Sequence, residues 1–402
     1  MHVFNRSLME IFYERNRGGM RARVIAFYLP QYHPIPENDK WWGKGFTEWT
    51  NVAKAKPLFP GHFQPKIPAD LGFYDLRIPE VRIAQAELAR KAGIEGFCYY
   101  HYWFSSGKQL LQRPFEDVLH SGEPDFPFCL CWANHDWYNK TWSDGGIVVE
   151  QKLLIKQEYN HDDYIAHFHH LLPAFRDKRY ITCDGKPIFV IWHYEDVPNV
   201  KEFISLWQDL AVSNGLKGIY FVANCFAMDV KQLSISSVFR KEVPPSPDYN
   251  RILDLGFDAI NLKGARRAEF LVQSRLKYFM RFINRKVFRK ETLSICHQKD
   301  INKYLFNEDD RKEFVFPTLF PNWDHSPRSG KRARIYVDST PERFGEQIDI
   351  ALSLIQNKED EHKILFLQSW NEWGEGNYVE PDIRYGHGYL DVLEEKLIDH
   401  TL

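Results

Sequence analysis

Eight short apolar, β-rich runs recur along this chain, most of them followed by a stretch with helical spacing. They are VIAFYLPQY (24–32), GFCYYHYWF (96–104), FCLCWAN (128–134), PIFVIWHY (187–194), IYFVANCF (219–226), FDAINLK (257–263), FVFPTLF (314–320) and ILFLQSW (364–370). Between them, a helix is predicted near 79–92. Tyr164, Phe168, Leu171, Leu172 and Phe175 share one helical face within 158–177. A further helix at 200–215 stops at Asn214-Gly215, and one at 341–357 opens on Thr340 as N-cap with Pro341 behind it. Strands alternating with helices close into a (β/α)8 barrel or lie in an open doubly wound sheet. The open sheet ordinarily carries a glycine-rich phosphate loop after its first strand, and LPQYHPIP contains no glycine. The sequence therefore predicts an α/β fold, a (β/α)8 TIM barrel spanning 23–402 as one catalytic domain. Residues 1–22 form an N-terminal extension, a long loop follows strand 1, and 263–312 is a basic insertion near strand 6.

Composition narrows the function. Among 402 residues, 52 are basic and 54 acidic, a net charge of −2 that argues against a nucleic-acid binder. No run of 18 apolar residues occurs, and the charged N-terminus lacks a signal-peptide core. The six cysteines form no CxxC pair and read as reduced core residues, so a cytoplasmic protein is expected, with a monomer as the default. Aromatics are abundant, with 12 Trp, 20 Tyr and 30 Phe, which suits stacking on sugar rings as well as a large core.

In a barrel the C-terminal strand ends open on one face, where active sites lie. Here those ends carry Tyr32 and His33, His101 and Trp103, Trp132 and Asn134, His193 and Tyr194, Asn224, Trp323 and Asp324, and Asn371. The sharpest motif, SWNEWGEGNYVEP (369–381), follows strand 8. Glu372 and Glu375 stand three apart on a turn flanked by Trp370 and Trp373, with Glu380 close behind. Burial and mutual repulsion separate the pKa values of such a pair, which is what acid–base glycosyl transfer needs. The bland alternative is a pair of loop carboxylates capping helix 8 or bound to Arg384. The loop after strand 1, with His33, Trp41, Trp42, Glu48 and Trp49, reads as a lid or subsite wall, or else as an aromatic plug on the rim.

Alternation in CYYHYWF puts Tyr99, His101 and Trp103 on one side and Cys98, Tyr100 and Tyr102 on the other. His161, His167, His169 and His170 read as solvated helix residues. WANHDW lacks the partners of a metal site, and neither metal nor cofactor is expected. The stretch 263–290 holds ten basic residues and one acidic residue, with apolar residues at helical spacing. It reads as barrel helix 6 with a solvated basic face. The rival is a grip on an anionic polymer or a peripheral contact with an anionic membrane surface, at the inner membrane.

AFYLPQYHPIPENDKWWGKGFTEWTNVAKAKPLFPGHFQP (26–65), GFCYYHYWF, FPFCLCWAN (126–134), PNWDHSPR (321–328) and WNEWGEGNYVEP (370–381) closely resemble the WbsX-like family, commonly encoded with O-antigen or capsule genes. That family resembles the family-99 glycoside hydrolases, retaining barrel enzymes acting endo on α-mannosides. The resemblance implies catalytic roles for Glu372 and Glu375. Glu372 would help the sugar's 2-hydroxyl attack the anomeric carbon, giving a 1,2-anhydro sugar, and Glu375 would protonate the leaving oxygen. Two departures bear on the substrate: Asn134-His135-Asp136-Trp137 where many relatives read asparagine–glutamate–asparagine–tryptophan, and Leu262-Lys263-Gly264-Ala265-Arg266 where they often carry an acidic residue and a proline pair. Mannose specificity is therefore not carried over. The expectation is a glycoside hydrolase-like enzyme acting on a bacterial surface polysaccharide or oligosaccharide, with Tyr32, His33, Trp42, Glu48, His101, Trp103, Trp132, Asn134, Tyr194, Trp323, Asp324, Trp370, Asn371 and Trp373 contacting the sugar. A polysaccharide glycosyltransferase is the runner-up, against which stands the lack of any Asp-x-Asp metal motif. A catalytically dead carbohydrate binder is the third reading.

Overall fold

The computed structural model describes residues 19–142, 148–229, 232–240, 242–290 and 292–399. Eight parallel strands form its centre: β1 Arg23–Tyr28, β2 Ile94–Trp103, β3 Phe128–Trp132, β4 Lys186–Ile191, β5 Tyr220–Phe226, β6 Ala259–Lys263, β7 Val315–Leu319 and β8 Ile364–Leu367. Each hydrogen-bonds the next in chain order. The ring closes where β1 pairs with β8 (Ile25 opposite Phe366) and with β2 (Phe27 opposite Cys98). All eight fall on the runs read from the sequence, with β1, β2 and β4 beginning one or two residues earlier, and the (β/α)8 barrel stands.

The strands read as continuous apolar runs because both faces are covered. Inside, Phe27 stacks on Phe366 and Tyr100 at 5.2 and 5.5 Å. Outside, Phe189 and Phe221 meet Trp207 on helix Val200–Ser213. The expected helices are present at Pro79–Lys91, His161–Phe175, Val200–Ser213 and Pro341–Ile355. Thr340 caps the last through the Arg343 backbone N–H, with Pro341 in its first turn, as the sequence signals. All six cysteines are buried free thiols. Among the described residues no helix is long and apolar enough to cross a membrane.

Most of the N-terminal extension lies outside the described residues. Met20 bridges Ile398, and the Arg21 N–H donates to the Leu397 carbonyl at 3.0 Å, so this part leans on the final helix. The stretch 263–290 is two helices, not one: Ala265–Val272 and Arg275–Lys286, divided where Ser274 turns extended and caps the second. The insertion continues into strand Ser294–His297, paired in parallel with Arg334–Val337. A hairpin that sequence periodicity did not reveal, Trp137–Trp142 against Val148–Ile155, rises beside the barrel mouth after β3.

Lys263 ends β6 with its side chain directed into the barrel, its Nζ 3.6 Å from the centre of the Trp192 ring and 4.8 Å from that of Phe27. The ammonium has no hydrogen-bond partner among the described residues, and burial lowers its pKa to about 7. Below that pH the folded protein carries the whole cost of the buried charge. Between about 7 and the unfolded value near 10.4, stability rises with pH, because the unfolded chain holds the extra proton. Lys263→Met should therefore stabilise the fold by about 2–4 kcal/mol near pH 6.5 and by much less at pH 10. Denaturant unfolding at the two pH values checks this, and equal gains would show that the charge is not penalised.

Candidate active site

The cleft at the strands' C-terminal ends encloses about 720 Å³, within the usual range for ligand sites. Its walls are aromatic, with Trp42, Phe46, Tyr100, Tyr102, Trp137 and Trp192, and its polar groups include Glu48, His135, Asp136, Arg328, Glu372 and Glu375.

One guanidinium organises the acidic side. Arg328 donates from Nε to Glu48 at 3.0 Å, from one terminal nitrogen to Glu372 at 2.9 Å, and from the other to Glu375 at 2.6 Å. These residues come from the loops after β1, β7 and β8. Burial and Coulomb repulsion from Glu375 and Glu48 outweigh the pull of Arg328 on Glu372 and raise its pKa to about 8. Despite burial, Arg328 and His325 (Nε2 at 3.5 Å) lower Glu375 to about 2. The physical reason is simple: a single positive charge cannot offset three closely held carboxylates, so one of them retains a proton.

The turn carrying the pair is built for this crowding. A Cβ on Gly374 would sit 2.1 Å from the Glu48 carboxylate and 3.0 Å from Arg328 Nε, so only glycine lets the three approach. Gly376 has φ +56° and faces Asp324 and Lys66 just as closely. Asn371 is wholly buried and acts as a splice, its amide oxygen accepting from Leu29 N–H at 2.8 Å and its amide nitrogen donating to the Leu29 carbonyl. The Tyr32 hydroxyl donates to the Asn371 carbonyl and accepts from the Trp373 N–H at 3.1 Å. Trp373 stacks on Tyr378, and Trp370 is fully buried.

Glu380 does not join Glu372 and Glu375. It accepts from Trp373 Nε1 (2.6 Å), Gln85 Nε2 (2.6 Å) and the Tyr74 hydroxyl (2.9 Å), a buried bracket whose pKa burial raises to about 7. Asp324 is a second bracket. It accepts from Gln64 at 2.6 Å and the Ser326 N–H at 3.0 Å and pairs with His62 at 2.8 Å, all of which hold it well below the usual carboxylate range. Its own N–H donates to the Glu375 carbonyl at 2.7 Å. Trp323 stacks on His325, so both residues position the Arg328 segment and stand outside the cleft wall.

Of the residues expected to touch sugar, Trp42 and Glu48 line the cleft with Glu372 and Glu375. Tyr32, Trp370, Asn371 and Trp373 lie behind it as support. His33 is buried near Asp75 and Arg77, its pKa lowered to about 4 by desolvation. Strand β2 presents the opposite set from the one chosen: Tyr100 and Tyr102 face the cleft, whereas His101 and Trp103 face helix His161–Phe175. There His101 Nε2 lies 2.9 Å from His167 Nε2, and Trp103 Nε1 donates to Asp163. His167 is correspondingly buried, not solvated. Trp132 is buried and donates to the Trp103 carbonyl. Asn134 ties to the backbone of His193, and Tyr194 packs on Phe257. The strand-1 loop divides its roles, with Trp42 as wall and Trp49 as plug, tilted against Trp373 at 5.6 Å. Arg328, the hub, was missed. Its only sequence signal was its place in the block PNWDHSPR.

Residues 24–393 match the model of the family described as "Glycosyltransferase WbsX". The "uncharacterized protein WxcX" of Xanthomonas campestris pv. campestris (strain B100) is 34% identical over 94% of this chain, and the chain spans half of that relative's length. A solved "glycoside hydrolase-like protein" superposes with TM-score 0.55 at 15% identity, covering 94% of both chains. The GH99 endo-alpha-mannosidase from Bacteroides thetaiotaomicron superposes with TM-score 0.53 at 12% identity, over 93% of this chain and 95% of that one. At such identities the two structures bear on the fold, which they share. The family match runs through every barrel strand but β1's first residue, and on it the chain belongs to the Glycosyltransferase WbsX family.

Proposed function

We propose that the cleft breaks a glycosidic bond in a bacterial surface polysaccharide or its oligosaccharide precursor. The sugar passes to water or to another sugar hydroxyl, with Glu372 and Glu375 as the acid–base pair. The observation that carries this reading is the set of three carboxylates on one guanidinium in an aromatic-walled cleft. Its residual negative charge favours the positive charge that develops at the anomeric carbon in an oxocarbenium-like transition state. Aromatic walls supply faces for sugar rings.

The resting electrostatics favour Glu372 as the proton-bearing partner and Glu375 as the carboxylate. That is the reverse of the roles implied by the family-99 resemblance. On this reading Glu372 protonates the leaving oxygen, and Glu375 assists attack at the anomeric carbon or deprotonates the acceptor. Glu48 has the supporting role of holding Arg328 in place.

The family's description favours a second reading, sugar transfer from a nucleotide donor. The test offers the polysaccharide of the encoding organism and, separately, nucleotide sugars to native protein and to Glu375→Gln. New reducing ends or rearranged chains, made by native protein and reduced at least a hundredfold in the variant, are expected. Nucleotide release with chain growth would replace this reading by the second.

A further inference from the structure

Helix Arg275–Lys286 is amphipathic in sequence, yet none of its residues is buried. Its inner side, Tyr278, Phe279 and Phe282, rests on a small cluster formed by Met228, Val238 and Phe270. Ile283 is half-buried, and the remaining apolar residues point away from the protein. Leu276 is 68% exposed, Met280 56% and Val287 64%, at the spacing of a single helical stripe, and Phe288 follows at 58%. Phe239, 66% exposed, lies edge-on to Phe279 and extends the apolar surface.

Charge identifies what covers this surface. From 275 to 290 there are seven Lys or Arg and no Asp or Glu. Arg281 turns inward to Gln273 and Ser294, while Arg275, Lys277, Arg285, Lys286 and Arg289 are exposed around the stripe. A second copy docked here about a two-fold axis would set like charges against like. An apolar stripe bordered by cations instead suits a helix lying in the interface of an anionic bilayer, apolar side chains among the acyl chains and cations at the headgroups. The helix belongs to the insertion that leaves β6 at its C-terminal end, the end of the barrel that carries the cleft.

We infer that the Arg275–Lys286 surface is a docking face for an anionic lipid membrane. The cleft is thereby held near saccharides presented at that membrane. This goes beyond the proposed chemistry and stands whether or not the cleft is catalytic.

The full chain is sedimented with vesicles of phosphatidylcholine alone and of phosphatidylcholine with 30 mol% phosphatidylglycerol. Partitioning at least tenfold stronger onto the anionic vesicles is expected, weakening as salt rises from about 0.05 to 0.5 M. The double variant Leu276→Ser/Met280→Ser should lose at least tenfold of that binding at an unchanged melting temperature, since both side chains are exposed. Lys277→Glu/Lys286→Glu should lose it as well. Equal partitioning onto both vesicle types, insensitivity to salt, or binding untouched by the serine variant would each overturn the inference. So would a dimer in lipid-free solution that the serine variant dissolves, which would assign the stripe to a second copy.

Discussion

Replacing Arg328 by methionine is expected to lower the unfolding free energy by about 3 kcal/mol at pH 8, the order found when a largely buried charge loses its partner. The side chain keeps 23% of its surface exposed, which moderates the effect. Without the guanidinium, Glu48, Glu372 and Glu375 face one another in a site where two of them are at most 12% exposed. Without the pull of Arg328 the folded-state pKa of Glu372 rises further above the unfolded value near 4.3, and that of Glu375 climbs from its lowered value. A carboxylate raised in this way destabilises the fold above its folded pKa, by an amount that shrinks as pH falls and vanishes below the unfolded pKa. The deficit of the variant should therefore be larger at pH 8 than near pH 4.5, where the part due to Glu372 has faded and the part due to the lowered Glu375 remains. Denaturant unfolding of both proteins at the two pH values reads this directly. A deficit independent of pH would mean lost packing in place of unpaired charge. Arg328→Lys should recover only part of the loss, because one ammonium cannot reach three carboxylates in the planar geometry of a guanidinium.

This dependence explains what the sequence could and could not disclose. The barrel was legible because each strand is apolar on both faces and each major helix carries its own periodicity, all local signals. The acidic pair was legible because Glu372 and Glu375 sit three residues apart among tryptophans. Arg328 was not, since its partners lie 280, 44 and 47 residues away along the chain and nothing local distinguishes it from other surface-type arginines. Strand β2 shows a subtler limit. Alternation correctly sorted its side chains into two sets, but choosing the inward set required knowing that His101 would meet His167 on a helix more than sixty residues further on. The residues expected at the rim that the structure holds behind the cleft share a cause. Trp132, Asn134, Asn371 and Asp324 are polar or aromatic at strand ends because they splice loops to strands, which selects the same residue types as sugar binding.

The pH dependence of turnover should distinguish the two carboxylates. If Glu372 carries the transferable proton, kcat/KM falls as pH rises past about 8, where the free enzyme loses that proton. Glu375, held near 2, should produce no acid limb of its own above pH 4. Glu372→Gln is expected to reduce kcat/KM on a natural linkage by about 10²–10⁴-fold and to remove the limb near pH 8 from what activity remains. An aryl glycoside with an acidic phenol as leaving group needs no proton donor, so it should restore much of the Glu372→Gln activity and little of that lost in Glu375→Gln. The opposite pattern, rescue of Glu375→Gln with the basic limb surviving in Glu372→Gln, would return the roles to those of the family-99 resemblance. The proton would then have to move between the carboxylates when sugar displaces water around Arg328. The distinction is chemical, because the three-way grip of Arg328 sets which carboxylate keeps the proton before substrate arrives.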